Sequence, residues 1–540
     1  MNNITNRFSR FVLILAVVIS ASCDKLNLVP EDYYSGDSFW TSEAQFDGYV
    51  FTLHKYMRDL CKTHVLYFGE LRSGIYKTSS GSSDGSTHLD GTIMLSNLSE
   101  DTPGLSNFGG YYGAISQTNL FIKRLNAEGE KLLPEAKRNN YLGIAHGIRA
   151  FLYFDLYRAY GGVPIRLDTK VIDGITDPRE LYLARSSAAE VLALVKADID
   201  SSLTFFGEEQ NLDPYNHGEK ITWSRFATLY LAGEVYLWSA KVSVSDTEGT
   251  QPAIPSDADK AATYLNEIIS SNKFGLEPSY ADIFDASKKG GKEVIFAIRY
   301  KEGEADNPIG VNYTYISDGR GSLANGYGAN GEKFGDPLHL NSSGGGQWYE
   351  YKDSLFNSFD NADVRKSVTF VPCYSRPTCD SLVSAVLAKN MGHVNGAGRH
   401  IFDGDQIYYR YAGVLLLLAE ALNFTGTDGY QSLMDQVRTR AGLASESPSG
   451  FKAWELAIFR EREREFVNEG CRWWDLCRMT TDKEGGASCH LVFSSEVAVT
   501  DKGEVAGPVL DYATESYKVL WPIDKALLGS DPLLVQTVGY

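Results

Sequence analysis

The chain reads EREREFVNEGCRWWDLCR over residues 461–478, and this stretch indicates how its helices are held together. Glu461, Glu465 and Glu469 are four residues apart, so they share one helix face, and arginines are interleaved with the acidic residues at positions 460, 462 and 464. Close carboxylates also suggest a glycosidase, whose two carboxyl groups lie roughly 5 to 9.5 Å apart. Nearby arginines lower carboxyl pKa values, whereas a general acid needs a raised pKa. We therefore predict an ion-pair lattice here and no catalytic pair.

Most of the chain outside this stretch has a helical period. Ser42 and Gln45 form a capping box that opens a helix running to about residue 61. Helices joined by short turns favour antiparallel pairs stacked like a solenoid, although no clean repeat of about 34 residues is present. Trp473 and Trp474 directly follow the last helix, so we predict that they belong to the core and not to a sugar-stacking platform. The other predicted elements are amphipathic helices over residues 111–126, 135–160, 188–205, 223–241, 258–271, 408–423, 430–441 and 453–469, with a strand over 293–300.

The N-terminus has the features of an export signal. Two arginines precede nine apolar residues, and three small residues stand directly before Cys23. Nine residues span about 14 Å as a helix, which is too short for a bilayer core of roughly 30 Å. The motif resembles a bacterial lipobox in which Ser20 replaces the commoner leucine. We predict a signal peptide over residues 1–22, lipidation of Cys23 and a polar tether over residues 23–38. An ordinary signal peptide with an incidental cysteine is the alternative.

Charge and motif content exclude several classes of function. The 540 residues carry a formal net charge of −18, which disfavours nucleic acid and polyanionic sugars as partners. No later apolar run reaches the ~18 residues that a membrane-spanning helix needs. The sequence also lacks an HExxH helix, a GxSxG elbow and the lysine-containing loop that binds phosphates. We therefore predict neither a metal site nor a cofactor.

The cysteines favour a disulfide over a zinc site. Six cysteines follow Cys23, and none has the CxxC spacing of a zinc ligand pair. An exported protein meets an oxidising compartment, which favours pairing. Cys373 and Cys379 flank the turn-forming sequence YSRPT, so we predict a disulfide between them, with free buried thiols as the alternative.

Four motifs follow one another along the chain. The first is AHGIRAFLY over residues 145–153, which continues to YGGVPI over 160–165. The second is YRYA over residues 409–412, followed by a leucine-rich helix and by VRTRAG. The third is the stretch over residues 461–478. The fourth is the tail, with WPI after residue 520 and QTVGY over residues 536–540.

Together with the N-terminal lipobox, these motifs resemble the SusD/RagB family of Bacteroidetes outer-membrane lipoproteins. The departures from the family pattern are Gly413, Thr537 and Val538. The resemblance implies a mostly helical single domain over residues 39–540, with four tetratricopeptide-like helix pairs as scaffold and an irregular loop-rich face. That face includes an insertion over about residues 302–400.

The resemblance also implies a task and a location. It implies a non-enzymatic lipoprotein, lipid-anchored and exposed at the surface of the outer membrane. Such a protein captures oligosaccharide or polysaccharide and delivers oligosaccharide to a SusC-like TonB-dependent transporter. A RagB-like peptide-binding lipoprotein is the nearer alternative, and a lipid-anchored helical-repeat adaptor for proteins is the farther one.

In this family an early loop and a middle insertion supply most ligand contacts. The early loop here runs from Glu70 through Asp84 to His88, and no tryptophan lies between Trp40 and Trp223, which departs from the family's usual early loop. Sugars are bound by aromatic faces and by side chains that hydrogen-bond hydroxyl groups. The candidate ligand-binding residues of the two regions are Arg72, Tyr76, Asn312, Tyr315, Asp318, Arg320, Tyr327 and Trp348.

Overall fold

A computed structural model describes residues 39–540, except residues 78–88, 106–107, 171, 173–176, 216–218, 248, 311–322, 324, 341–348 and 502–503. The predicted signal peptide, Cys23 and the tether lie outside the described residues. The α-helices are α1 (Glu43–Asp59), α2 (Leu89–Met94), α3 (Gly109–Ala127), α4 (Gly129–Leu132), α5 (Glu135–Tyr160), α6 (Ala188–Phe206), α7 (Arg225–Lys241), α8 (Asp257–Ser270), α9 (Asp353–Asn357), α10 (Arg365–Thr369), α11 (Tyr411–Thr425), α12 (Tyr430–Arg440), α13 (Phe451–Glu465), α14 (Arg472–Arg478), α15 (Tyr512–Glu515) and α16 (Lys525–Ser530). The β-strands are β1 (Tyr76–Lys77), β2 (Val244–Asp246), β3 (Gly249–Gln251), β4 (Val294–Ile298), β5 (Glu350–Tyr351), β6 (Phe370–Tyr374), β7 (Leu382–Leu387), β8 (His393–Val394), β9 (His400–Ile401) and β10 (Gln406–Arg410).

The predicted helices are present, and most of their ends lie close to the predicted residues. The predicted capping box of Ser42 and Gln45 opens α1. Helix α5 begins and ends at the predicted residues, because Gly161 has a φ of 73° and stops the helix there. Among the described residues, no helix has the length and apolar character needed to cross a membrane.

One helix ends earlier than predicted. The pattern predicts a helix to residue 469, but α13 ends at Glu465. Asn468 and Gly470 have positive φ angles of 63° and 78°, so the chain leaves the helical path in a tight turn. Glu469 therefore lies in this turn and not on the helix face of Glu461, and its carboxylate pairs with Arg410 and Lys389.

Each long helix packs on the next one along the chain. Helix α3 packs on α1, α5 on α3, α6 on α5, α7 on α6 and α8 on α7, and after the insertion α11 packs on α8 and α12 on α11. Helices α5 and α7 are buried around most of their circumference and form the centre of the core. Gly233 allows α7 to approach α8, because a Cβ there would lie 2.6 Å from Leu265 Cδ2. The fold is therefore mostly helical, while its arrangement as four tetratricopeptide-like pairs stays a prediction.

A short ladder closes the long insertion at its base. Strand β4, which the sequence predicts, pairs antiparallel with β10, so that Ile298 lies opposite Gln406 and Val294 opposite Arg410. The ladder brings together the two ends of the segment between them. The insertion is thus an excursion that leaves the helical scaffold and returns to it at one place.

The structure corrects the predicted disulfide. Cys373 and Cys379 are both free thiols. Cys373 lies in β6 opposite Ser384 and is fully buried, and burial raises the pKa of its thiol to about 11. Cys379 lies beyond the strand end with a φ of 55°, and its Sγ is 3.3 Å from the carbonyl oxygen of Gly328. The thiols therefore contact other groups instead of each other.

Candidate ligand-binding site

The early loop and the insertion meet in a two-stranded ladder. Strand β1 pairs antiparallel with β5, with Tyr76 opposite Tyr351 and Lys77 opposite Glu350. These partners are about 270 residues apart in sequence. Because Lys77 lies opposite Glu350 in an antiparallel pair, the chain leaves β1 beside the point at which it enters β5. The two regions that the sequence selects as ligand loops thus share one root on the scaffold.

Tyrosines hold this root together. The hydroxyl groups of Tyr76 and Tyr351 are 2.9 Å apart, and their rings stack with centroids separated by 4.6 Å. Tyr349 meets the Tyr76 ring edge-on at 6.2 Å. Tyr76 is buried, with 6% of its surface exposed. The structure therefore places Tyr76, a candidate ligand residue, inside the ladder as a support and not on an open surface.

Charged side chains surround the same root. Lys77 Nζ lies 2.7 Å from Asp353 Oδ1 and 3.2 Å from Glu350 Oε1. Burial favours the neutral amine, but hydrogen bonding to Asp353 and the charge of Glu350 outweigh it and raise the pKa of Lys77. Carboxylates outnumber the lysines in this cluster, which disfavours a polyanionic ligand beside the ladder. Its other members are Asp501, Lys352 and Glu504.

Arg72 lies in the core, away from any open face. Its side chain is fully buried, with the guanidinium 4.4 Å from the Trp473 ring centroid and 5.0 Å from that of Trp521. One guanidinium nitrogen donates to the backbone carbonyl of Lys518. Trp473 is fully buried too, which confirms its predicted core position. The structure therefore assigns Arg72 a packing role in place of the expected ligand contact.

Tyr327 is a candidate ligand residue that lies at the surface of the described part of the insertion. It is partly exposed, and its backbone bridges Tyr374 of strand β6. The ammonium of Lys333 lies 4.2 Å from the centroid of its ring. A described part of the insertion thus presents an aromatic ring beside a cation. The remaining candidates, Asn312, Tyr315, Asp318, Arg320 and Trp348, lie outside the described residues.

The glutamates of the opening motif form a buried ion cluster. Glu465 accepts hydrogen bonds from Arg365 at 2.8 Å, from Arg410 at 2.6 Å and from Arg440. Burial alone would raise the pKa of Glu465, but these three arginines hold it well below its usual range. Arg365 likewise bonds Glu461 at 2.7 Å, and the pKa of Glu461 is also lowered against its burial. Neither carboxyl group is suited to act as a general acid.

The predicted lattice is confirmed, but most of its partners come from elsewhere in the chain. Arg464 pairs with Glu461 from within α13, as predicted. Arg462 instead binds Asp475 at 2.8 Å, and Arg460 is exposed. Arg410 belongs to the YRYA motif, but the sequence predicts no role for it. The sequence predicts a helix over residues 408–423, whereas Arg410 is the last residue of β10 and directly precedes α11. In the described part of the chain, no group of three or more His, Cys, Asp or Glu side chains could hold a metal ion.

Comparison with known proteins identifies the family. The fold matches a solved SusD superfamily protein of Bacteroides fragilis with a TM-score of 0.84 and 40% identity, covering 93% of this chain and 100% of that one. The chain belongs to the SusD superfamily. NanU of B. fragilis matches with a TM-score of 0.76 and 28% identity, covering 94% of this SusD-superfamily chain and 99% of NanU. The SusD-like protein P38 of Formosa agariphila is 25% identical over the full length of both chains.

Two family models match different parts of this SusD-superfamily chain. The SusD family model matches residues 384–540, which include β10, α11 and the cluster residues Arg410, Arg440 and Glu465. A model described as "Starch-binding associating with outer membrane" matches residues 74–236, which include β1, helices α3 to α6 and most of α7. Much of the helical scaffold and the buried residues Arg410, Arg440 and Glu465 therefore lie within segments characteristic of the family.

The position of Arg72 leads to a stability prediction. Replacing Arg72 with alanine is expected to lower the free energy of unfolding by about 2–4 kcal/mol, because it removes two desolvated cation–π contacts and a charged hydrogen bond. Urea unfolding followed by circular dichroism measures this effect. Arg376→Ala is the matched control, since Arg376 is exposed and pairs only weakly with Asp380. Unchanged stability together with a lost ligand would instead identify Arg72 as a binding residue.

Proposed function

We propose that this protein is a cell-surface glycan-binding lipoprotein that captures oligosaccharide and delivers it to a SusC-like TonB-dependent transporter. The observation that carries the proposal is the β1–β5 ladder, which joins the roots of the early loop and the insertion. Ligand-binding groups are commonly carried on loops held by a rigid scaffold, and here both loops start from a helical core. Membership of the SusD superfamily and the starch-binding description of one matching family model support a glycan as the ligand.

The charges near the ladder favour a neutral glycan. Carboxylates outnumber lysines at the loop root, and the whole chain carries a formal net charge of −18. A polyanionic sugar would be repelled by this field, whereas neutral hydroxyl groups can hydrogen-bond to carboxylates and to backbone groups. The arginine-paired glutamates at the ion cluster support binding without chemistry, since their lowered pKa values are opposite to what acid catalysis needs.

Calorimetric titration of neutral oligosaccharides into alanine variants tests this proposal. We expect weak binding by the isolated protein, roughly micromolar to millimolar, or about −8 to −4 kcal/mol. Removing the central aromatic ring should cost roughly 2 kcal/mol, which is about a 30-fold loss of affinity. The positions to change are Tyr315, Asp318, Tyr327 and Trp348.

The same titration includes a control variant and separates the glycan proposal from its alternatives. Phe51→Ala serves as the matched control, because Phe51 is 47% exposed on α1 and belongs to neither loop. If all four loop variants bind the sugar as well as the unchanged protein does, the two-loop assignment is wrong. A pool of peptides titrated in parallel separates the RagB-like alternative, which predicts peptide binding that the same variants weaken. Tighter binding after addition of the transporter is expected, since two surfaces then bury the ligand.

A further inference from the structure

An open groove lies on the helical scaffold, outside both proposed ligand loops. It has a volume of about 680 Å³ and is lined by helix α12, by the segment over residues 275–278 and by Tyr411, the first residue of α11. None of its lining residues belongs to the early loop or to the insertion. Ligand sites typically have volumes of about 300–1,000 Å³, so the groove has room for a short chain of small units.

One buried residue ties the three walls of this groove together. The backbone N–H of Glu277 donates to Glu293 Oε2 at 2.9 Å, and Arg440 Nη1 donates to the same oxygen at 3.0 Å. The backbone N–H of Tyr411 donates to the carbonyl oxygen of Glu293 at 2.8 Å. Glu293 itself is fully buried. The groove therefore has its shape before a ligand arrives, which lowers the free-energy cost of ordering it on binding.

One face of α12 presents hydrogen-bonding side chains that solvent reaches. Ser432, Gln436 and Thr439 line the groove and are exposed, and their spacing places them on one helix face. In the described part of the chain, no group forms a hydrogen bond with the hydroxyls of Ser432 and Thr439. Gln436 Nε2 donates to the Ser432 carbonyl oxygen at 3.3 Å, which leaves the Gln436 amide oxygen as an acceptor. A ligand in the groove can therefore replace water at these side chains without entering the core.

The other walls of the groove carry apolar surface. Tyr411 and Leu276 are partly exposed there, and Pro278 is exposed. Partial burial raises the pKa of Tyr411, so its hydroxyl stays a neutral donor. A pyranose ring has a face of C–H groups and a rim of hydroxyl groups. Such a ring can stack on Tyr411 while its hydroxyl groups meet the polar face of α12.

The charges at the groove disfavour an anionic ligand. Glu277 and Asp435 line it with carboxylates. Arg440 is the cationic side chain among its described lining residues, and it pairs with Glu293 and Glu465, which are both fully buried. Its charge is therefore already compensated inside the protein. A neutral sugar avoids the repulsion that an acidic sugar would meet at the two lining carboxylates.

We propose that this groove is a second glycan site, which binds a short stretch of a neutral glycan. One sugar ring stacks on Tyr411, and its hydroxyl groups form hydrogen bonds with Ser432, Gln436 and Thr439. Because the groove shares no residue with the two ligand loops, either site can bind sugar when the other does not.

A ligand-observed magnetic resonance titration tests the groove in a protein whose loop site is removed. The background is the purified protein with alanine at the four loop positions of the calorimetric test, and the probes are maltotriose, cellotriose and trigalacturonate. We expect a neutral trisaccharide to bind at least tenfold more tightly than trigalacturonate. Replacing Tyr411 with alanine in this background should weaken that binding at least tenfold. Tyr182→Ala should leave it unchanged, because Tyr182 is a partly exposed tyrosine outside the groove lining.

A substitution on α12 keeps the test decisive if Tyr411→Ala disturbs the fold, since Tyr411 also packs against the core. Thr439→Trp places a bulky ring in the groove and should reduce neutral trisaccharide binding at least tenfold. Thr263→Trp is the matched control, because Thr263 is exposed on helix α8 and lies outside the groove lining.

Three results would overturn the proposal. The first is that neither neutral trisaccharide binds the background protein at millimolar concentration, and if both bind the unchanged protein, this result refutes the groove and supports the loop site. The second is that trigalacturonate binds as well as the neutral sugars. The third is that Thr439→Trp binds them as well as Thr263→Trp does.

Discussion

Replacing Glu465 with alanine is expected to lower the free energy of unfolding by about 3–5 kcal/mol. Its carboxylate is fully buried and is shared by Arg365, Arg410 and Arg440. These arginines come from α10, the end of β10 and the end of α12, so one side chain neutralises charges from three elements. Removing it leaves buried guanidinium groups without compensation, which costs far more than a surface ion pair contributes. Urea unfolding followed by circular dichroism measures the loss.

The same residue makes stability depend on pH in a definite direction. The arginines hold the pKa of folded Glu465 below its usual range, so its stabilising effect is complete above the unfolded value of about 4.3. The effect is lost as the pH falls below that value. The difference between the unchanged protein and Glu465→Ala should therefore be constant from pH 8 to about pH 5 and should shrink in more acidic solution.

An exposed glutamate supplies the control for this experiment. Glu496 is a surface residue that pairs with Lys452, and Glu496→Ala should change stability by no more than about 1 kcal/mol. Equal effects of the two substitutions would mean that the cluster around Glu465 contributes no more than a surface pair. That result would contradict the structural role given to the lattice.

Replacing Cys23 with alanine is expected to move the protein from the membrane fraction to the soluble fraction almost completely. The prediction rests on the lipobox-like sequence, in which small residues precede Cys23, since acylation requires the cysteine sulfur. Two or more acyl chains hold a protein stably at a membrane, whereas the short apolar segment before Cys23 cannot span it. The measurement is fractionation after a carbonate and high-salt wash, in cells that lack the transporter.

The control must separate acylation from signal-peptide cleavage. The Cys23→Ala chain is therefore compared with a Ser22→Ala chain, which keeps the cysteine and a small residue before it. Mass spectrometry of the N-terminal peptide should find acyl groups on Cys23 in the control. Retention of a cleaved Cys23→Ala protein in washed membranes would refute the lipid anchor and would favour the ordinary signal peptide.

The features that the sequence predicts correctly depend on local interactions. The span of α5 follows from its helical period and from Gly161 directly after it, and both signals lie within a few residues of the helix end. The capping box at Ser42 is equally local. The core position of Trp473 follows from its place after an amphipathic helix. Such features depend on neighbours three or four residues away, which the sequence lists in order.

Tertiary structure alone decided which distant groups meet. The sequence indicated that Glu465 is paired, but its partners Arg365 and Arg410 are 100 and 55 residues away. Arg72 is as polar as any loop residue, and only the packing of Trp473 and Trp521 around it shows that it is buried. The β1–β5 ladder likewise joins segments whose own residues give no sign of the pairing. Helix period and capping are set by short-range geometry, so the sequence by itself determined the helices and the family. Contacts between distant segments depend on how the whole scaffold packs. For that reason only the tertiary structure decided the ion-pair partners and the common root of the two loops.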